Sequence, residues 1–312
     1  MHVEPDARGA VDERDGLLAR MREVLDRAEL PPPRGGGLRH PAAFDAVHTT
    51  QRALRSGPLD PDRREALTLL LHRLPAPVFG PADPQDHLRR SVARALRSAP
   101  DRAGADGLRA ASEAASWRDA ERESLAAAVA LLARVWPACA AEARETVTEI
   151  ALLDGGALSG FTDFTVHGAI FVHRGRLRAS AAGLPGAVRF AEALVHESAH
   201  TRCNAAAVAE PFLLPERAPA SAGRPGEVLV ATPLRADPRP LTGLFRQTVV
   251  LARSVQFYRR IPDRGPAVEA RHDQVLGSAR RAVAALNRHS RALTAPGRAV
   301  LAECAEVLGN PL

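Results

Sequence analysis

Two histidines four residues apart, His196 and His200, flank a glutamate in the run LVHESAH at 194–200. On an α-helix, side chains at i and i+4 project from one face, one above the other, so both imidazoles can grip a single metal ion. Glu197 between them stands close enough to serve as a general base, a partner of a ligand or an extra ligand. Two imidazoles leave a metal short of protein donors, so at least one more has to come from elsewhere in the chain.

The extended forms of this motif do not fit. A third histidine six residues beyond His200 would fall on Ala206, and the glycine of that pattern would fall on Cys203. Glu210 and Glu216 lie in a proline-bounded stretch that reads as loop, and Glu269, His272 and Asp273 belong to a later helix. His167 and His173 are six apart in an extended segment, hence on one face but roughly 20 Å from each other, too far to share an ion. His167, beside Gly168, is placed either at the cleft or at a sheet edge.

A second dense segment, TPLRADPRPLTGLFRQ at 232–247, sets Arg235, Asp237, Arg239 and Arg246 within twelve positions, and Pro233, Pro238 and Pro240 restrain its backbone. It reads as a turn. Guanidinium forks match carboxylates bidentately, so the turn suits an anionic co-substrate or an acidic peptide, or else an internal Arg–Asp clamp.

Taken together, LVHESAHTRCN and TPLRADPRPLTGLFRQTVVLARSVQFY resemble the HEXXH-motif domain of bacterial peptide and natural-product modification clusters. Members of that group are described as iron- and 2-oxoglutarate-dependent peptide β-hydroxylases. The resemblance covers roughly residues 147–260 and extends to the N-terminal helices only in character. It implies His196 and His200 as iron ligands and the Arg235, Asp237 and Arg239 segment as part of the site. In many of those relatives a histidine stands where this chain has Arg246, so Glu197, Asp237 or His272 must complete the ligand set; Asp237 is the residue assigned here. Two imidazoles and a carboxylate with open positions suit non-haem Fe(II). The co-substrate 2-oxoglutarate would chelate the metal and place its distal carboxylate on an arginine, with Arg235, Arg239 and Arg246 as the choices. The expected substrate is a peptide or amino-acid-derived molecule, free or bound to a carrier or leader.

Composition removes other chemistries. The chain contains no lysine, so all 42 basic residues are arginine. There is therefore no P-loop lysine, no Schiff base and no kinase-type lysine. The net charge of +6 comes from arginines scattered among 36 acidic residues, with no basic block flanked by aromatics, and no nucleic-acid partner is expected. Cys139, Cys203 and Cys304 form no C-x-x-C and read as small buried hydrophobes. No apolar run approaches the ~18 residues of a membrane span, and the acidic start is no signal peptide, so the protein is read as cytoplasmic and free of membrane.

The elements that must hold the motif follow from periodicity and punctuation. Helical spacing covers 12–30, 41–55, 60–73, 84–98 and 118–136, the last stopped by Pro137. The segments 147–153 and 165–173, β-branched and aromatic around a Gly/Ser/Asp-rich stretch, predict a short sheet or hairpin. Pro185 opens the motif helix, which runs to about 206 with Val188, Ala191, Leu194 and Val195 as its core stripe. A strand at 227–231 and helices at about 240–260, 265–290 and 296–308 complete the chain. The fold class is mainly α with a small β-sheet (α+β): a helical N-terminal half packed on an HExxH helix core. It is not a jelly roll, since strands are few and the only H-x-[DE] is His2-Val3-Glu4. Residues 1–110 are assigned to a helical N-terminal region and 111–312 to the metal-binding domain, with one continuous domain as the alternative.

Two other functions fit the same residues. A zinc metallopeptidase would use Glu197 to deprotonate metal-bound water. A catalytically degenerate HExxH-fold protein would bind a peptide or a partner without reaction.

Overall fold

Residues 1–98, 111–215, 229–232 and 235–309 are described in a computed structural model, with backbone alone at 229, 231, 232 and 235–239. The elements run α1 (Ala7–Arg27), α2 (Pro41–Leu54), α3 (Pro61–Arg73), β1 (Gly80–Ala82), α4 (Asp86–Ser98), β2 (Glu113–Ala115), α5 (Asp119–Val135), α6 (Pro137–Thr146), β3 (Glu149–Asp154), β4 (Gly160–Thr162), β5 (Ala169–His173), α7 (Gly186–Ala209), β6 (Leu229–Thr232), β7 (Arg235–Pro240), α8 (Leu241–Arg260), α9 (Pro266–Asn287) and α10 (Ala295–Val307). The architecture is the expected α-rich α+β arrangement around a small mixed sheet, not a jelly roll. Pro41, Pro61, Pro137 and Pro266 each open a helix, where the missing N–H costs nothing and the fixed φ is already helical.

The sheet has the order β1-β3-β5-β4, with β2 pairing antiparallel to the end of β3. β3 and β5 pair in parallel, Ile150 opposite Ile170 and Leu152 opposite Val172, so the hairpin alternative for these segments does not hold. Their side chains alternate between two cores. Ile150, Leu152, Ile170 and Val172 face the helices α5, α7 and α8, whereas Ala151, Leu153, Ala169 and Phe171 meet Leu88 and Val92 of α4. Burial on both faces explains why these strands read as nearly continuous apolar runs. β1 lies before position 110 yet pairs in parallel with β3, so residues on both sides of that position share one sheet.

Two local readings are corrected. His167 and His173 do not share a strand: a 3-10 turn at Phe164–Val166 and Gly168, at φ +92°, break the chain before β5 starts. The proline-rich segment is no turn but the strand β7, antiparallel to β6 with Val230 opposite Arg239.

α7 is buried nearly all round, as a helix at the centre of a bundle must be. It packs against α8, α5, α1 and α6 and touches β4 and β5. A buried charge network fixes it there. Glu142 of α6 accepts from Arg202 of α7 and from Arg253 of α8. Arg202 Nε also donates to Glu13 of α1 at 2.5 Å, and Arg253 Nε to the Val3 carbonyl at 2.8 Å. No helix among the described residues is long and apolar enough to cross a membrane.

Candidate metal centre

The motif lies midway along α7, and its two histidine rings stand 5.0 Å apart, centroid to centroid. Both face a cavity of about 370 Å³ whose walls are β4, Glu197, and Arg246 and Gln247 of α8. Glu197 follows His196 by one residue and so points about 100° round the helix, toward β4. Gly160 accepts this approach because it has no side chain: a β-carbon there would stand 3.1 Å from Glu197 Oε1.

His196 and His200 are partly exposed to the cavity, and Glu197 is buried beside them. Burial, together with the positive charges of Arg176 and Arg271, pushes His196 down to about 4. His200 is lowered well below its ordinary value by burial, by His196 and by Arg246. Both imidazoles are therefore neutral at physiological pH, the state that ligates metal. Burial pushes Glu197 up to about 8, against a smaller pull from Arg176, and its Oε2 has no hydrogen-bond partner among the described residues.

Of the residues singled out in the sequence, His196, Glu197, His200 and Arg246 come together. Of Arg235, Asp237 and Arg239 only the strand backbone belongs to the described residues; their side chains lie outside them. The ribbon does reach the site, since Pro240 at the end of β7 lines the cavity. Among the described residues no third imidazole, carboxylate or thiolate converges with His196 and His200 within 4.8 Å. Glu197 and His272 therefore do not complete the ligand set in this geometry, Glu197 because it leaves the helix on a different face. His272 sits on α9 with Nδ1 3.1 Å from Asp273 Oδ1. Glu210 and Glu269 are exposed, and Glu216 lies outside the described residues. His167 is buried against Phe44 and Phe164, away from the motif cavity. The three cysteines are free and buried, Cys203 pushed up to about 11 by burial, as small core residues are.

The donor set thus fits a metal in part: two neutral imidazoles, an unpartnered carboxylate oxygen beside them, and an open cavity. No described residue supplies the third protein donor, and the side chain of Asp237 lies outside the described residues.

Sequence reasoning missed a second cluster. His40, His87 and Glu149 are the one group of three metal-capable side chains whose donor atoms converge within 4.8 Å among the described residues. His87 Nε2 is 2.7 Å from Glu149 Oε2, and His40 Nε2 is 3.3 Å from Oε1. His40 Nδ1, however, accepts the Ala42 N–H as the N-cap of α2. The proton of a neutral His40 then resides on Nε2, the nitrogen that faces Glu149. The cluster ties α2 and α4 to β3 through the His87–Glu149 hydrogen bond and the close approach of His40 to the same carboxylate. Nothing local marks it in the sequence, since its members lie 47 and 62 positions apart.

The Glu192 side chain, one turn before His196, is likewise committed: it accepts from Tyr258 Oη at 2.8 Å and from Arg271 Nη2 at 2.5 Å. It orients the motif helix against α8 and α9 and has no lone pair to spare for a metal.

No protein-family model matches the chain, and no curated protein matches it in sequence.

Proposed function

We propose that the protein is a non-haem Fe(II)- and 2-oxoglutarate-dependent oxygenase that hydroxylates a peptide or amino-acid side chain at an unactivated carbon. His196 and His200 hold the iron with Asp237. The observation that carries this reading is Arg246: it faces the same cavity as the histidine pair, and no carboxylate of the described residues forms an ion pair with it. A cation beside two metal ligands opposes metal binding unless an anion is bound with the metal. The distal carboxylate of 2-oxoglutarate is such an anion, and an arginine fork takes it bidentately.

Bound iron with 2-oxoglutarate and dioxygen supplies an oxidant strong enough to turn C–H into C–OH, with succinate and carbon dioxide as co-products. The chain's own residues set the stage. His196 and His200 stay neutral because burial and the surrounding arginines disfavour their protons. Glu197 keeps a proton on its carboxyl at neutral pH until a nearby positive charge draws it off. β4 ends the sheet, so its outer edge offers unpaired backbone groups to an extended peptide beside the motif.

A zinc metallopeptidase is the second reading, favoured by the unpartnered, buried Glu197 Oε2, which would act as the base for a water once a metal's charge draws off its proton. One set of measurements separates the two. Protein purified without oxygen and loaded with Fe(II) should convert 2-oxoglutarate to succinate. Absence of succinate, with zinc-dependent peptide cleavage that Glu197→Gln abolishes, would transfer the assignment to the peptidase. Failure to bind any metal stoichiometrically would sink both.

A further inference from the structure

A second and larger cavity, about 740 Å³, adjoins the motif. It is walled by Arg176, Arg189, Arg271 and Glu192, with Ser159 at one end and the start of α9 at the other. Among the described residues, three guanidinium groups against one carboxylate leave an excess of two positive charges. Nor is Glu192 available to the other two. Its oxygens are taken by Arg271 Nη2 at 2.5 Å and Tyr258 Oη at 2.8 Å, while Arg176 Nη1 stays 3.8 Å away, beyond hydrogen-bond distance.

Arg189 is held by neutral groups: its Nη1 donates to the carbonyls of Gly175 at 2.7 Å and Arg178 at 2.5 Å. Those bonds fix the guanidinium without cancelling its charge. The N-terminus of α9, a helix of 22 residues, lacks a side-chain cap and turns its first residues, Pro266 and Ala267, toward the same space. Its backbone dipole adds to the positive potential. A cavity of this size with fixed, unneutralised cations is built for an anion.

The neighbourhood identifies the kind of anion. Ser159 leads directly into β4, whose residues line the motif cavity, and Glu192 lies four residues before His196, about 6 Å along the helix. The charge of Arg176 reaches both His196 and Glu197. No Phe, Tyr or Trp lines the cavity, and His173 is the one ring there, its Nδ1 already accepting from the Gly175 N–H. An extended peptide rises about 3.3 Å per residue, so a chain along β4 that has one residue over the motif puts another, about two positions away, in the arginine cavity.

We infer that this cavity is a specificity subsite for an acidic residue of a peptide bound along β4. The inference rests on the peptide-substrate part of the function proposed above, and it requires no metal. Its test is affinity selection at low salt from a random octapeptide library, acetylated at the N-terminus, on the immobilised full-length protein. Asp and Glu should be enriched at one position, on the order of tenfold, as a charge-assisted contact implies. Amidated and free-acid libraries, run side by side, distinguish a side-chain carboxylate from a C-terminal one.

Arg176→Gln should abolish the enrichment; this arginine makes no hydrogen bond to the described residues, so the variant should fold, and an unchanged melting temperature will verify it. Arg176→Glu should go further and disfavour acidic residues. His196→Ala should leave the enrichment intact. No acidic enrichment in the wild type, or enrichment that survives Arg176→Gln, overturns the subsite. Enrichment lost in Arg176→Gln without any succinate formation would keep the subsite and discard the oxygenase, so the two failures are distinguishable.

Discussion

A β-carbon on residue 160 would stand 3.1 Å from Glu197 Oε1 and equally close to the Phe171 carbonyl oxygen. The absence of a side chain at Gly160 thus sets how near the edge strand can lie to the motif helix. Gly160→Ala forces one of these neighbours to give way and should destabilise the protein by about 1–3 kcal/mol, the range for overpacking. In a Glu197→Ala background half of the obstruction is gone, so the second cost should be smaller by roughly 1 kcal/mol. Urea denaturation of the four proteins in this cycle measures the difference. Strict additivity would show that strand and glutamate are not in contact.

Metal content discriminates between the two histidine clusters. His196→Ala and His200→Ala should each bring bound metal to background in protein purified without oxygen. His40→Gln and His87→Gln should leave it unchanged, because His40 Nδ1 is occupied by the Ala42 N–H and its other nitrogen carries the proton. Those two variants should instead lower the melting temperature, His40→Gln by the loss of an N-cap worth about 1 kcal/mol and His87→Gln by the loss of its hydrogen bond to Glu149. Plasma emission analysis of the purified variants settles it; metal lost with His87 but retained without His196 would reverse the assignment.

These clusters also mark what can be read from the chain alone. Helices opened by Pro41, Pro61 and Pro266 are written in local punctuation, and HExxH carries its own geometry because one helix holds all three residues. α6 is not legible in the sequence because Pro137, which stops α5, is also the first residue of the next helix. β1 and β2, three residues each, are too short for any period and exist only through pairing with β3. Glu149 lies in a run that reads simply as strand, and nothing near it announces that His40 and His87 will close over it. The arginine cavity is equally silent in sequence, since Arg176, Arg189 and Arg271 come from three separate elements.

Glu142 is where the positioning of the site is most exposed to a single change. It is about 1% exposed and accepts from both Arg202 and Arg253, one from each helix that frames the motif cavity. Glu142→Gln removes the charge and one of the two acceptor oxygens shared by two buried guanidinium groups, leaving Glu13 as the one carboxylate among the described residues bonded to either. Removing one partner of a buried ion pair typically costs about 3–5 kcal/mol. Chemical denaturation should show a loss of that order. Because Arg202 is two residues beyond His200, metal affinity should fall in parallel even though no ligand has changed.

Acid sensitivity should trace in part to His167. Burial, with a smaller contribution from His48, pushes it down to about 4, and its Nδ1 has no hydrogen-bond partner among the described residues. Unfolded, the same imidazole titrates near 6.5. Between these values the unfolded chain binds a proton that the native state excludes, so stability contributed by neutral His167 is complete above about 6.5 and is lost as pH falls toward about 4. Each pH unit in that window corresponds to about 1.4 kcal/mol, giving a loss on the order of 3 kcal/mol. His40 and His48 are lowered as well, so the whole protein's slope will be steeper than one histidine explains. The difference between wild type and His167→Phe isolates the one residue: phenylalanine fits between Phe44 and Phe164 and cannot titrate. Unfolding free energies from pH 4 to 7 should converge for the two proteins at neutral pH and separate in acid, with the variant the more stable. Parallel curves would mean that His167 takes up its proton without opening the fold.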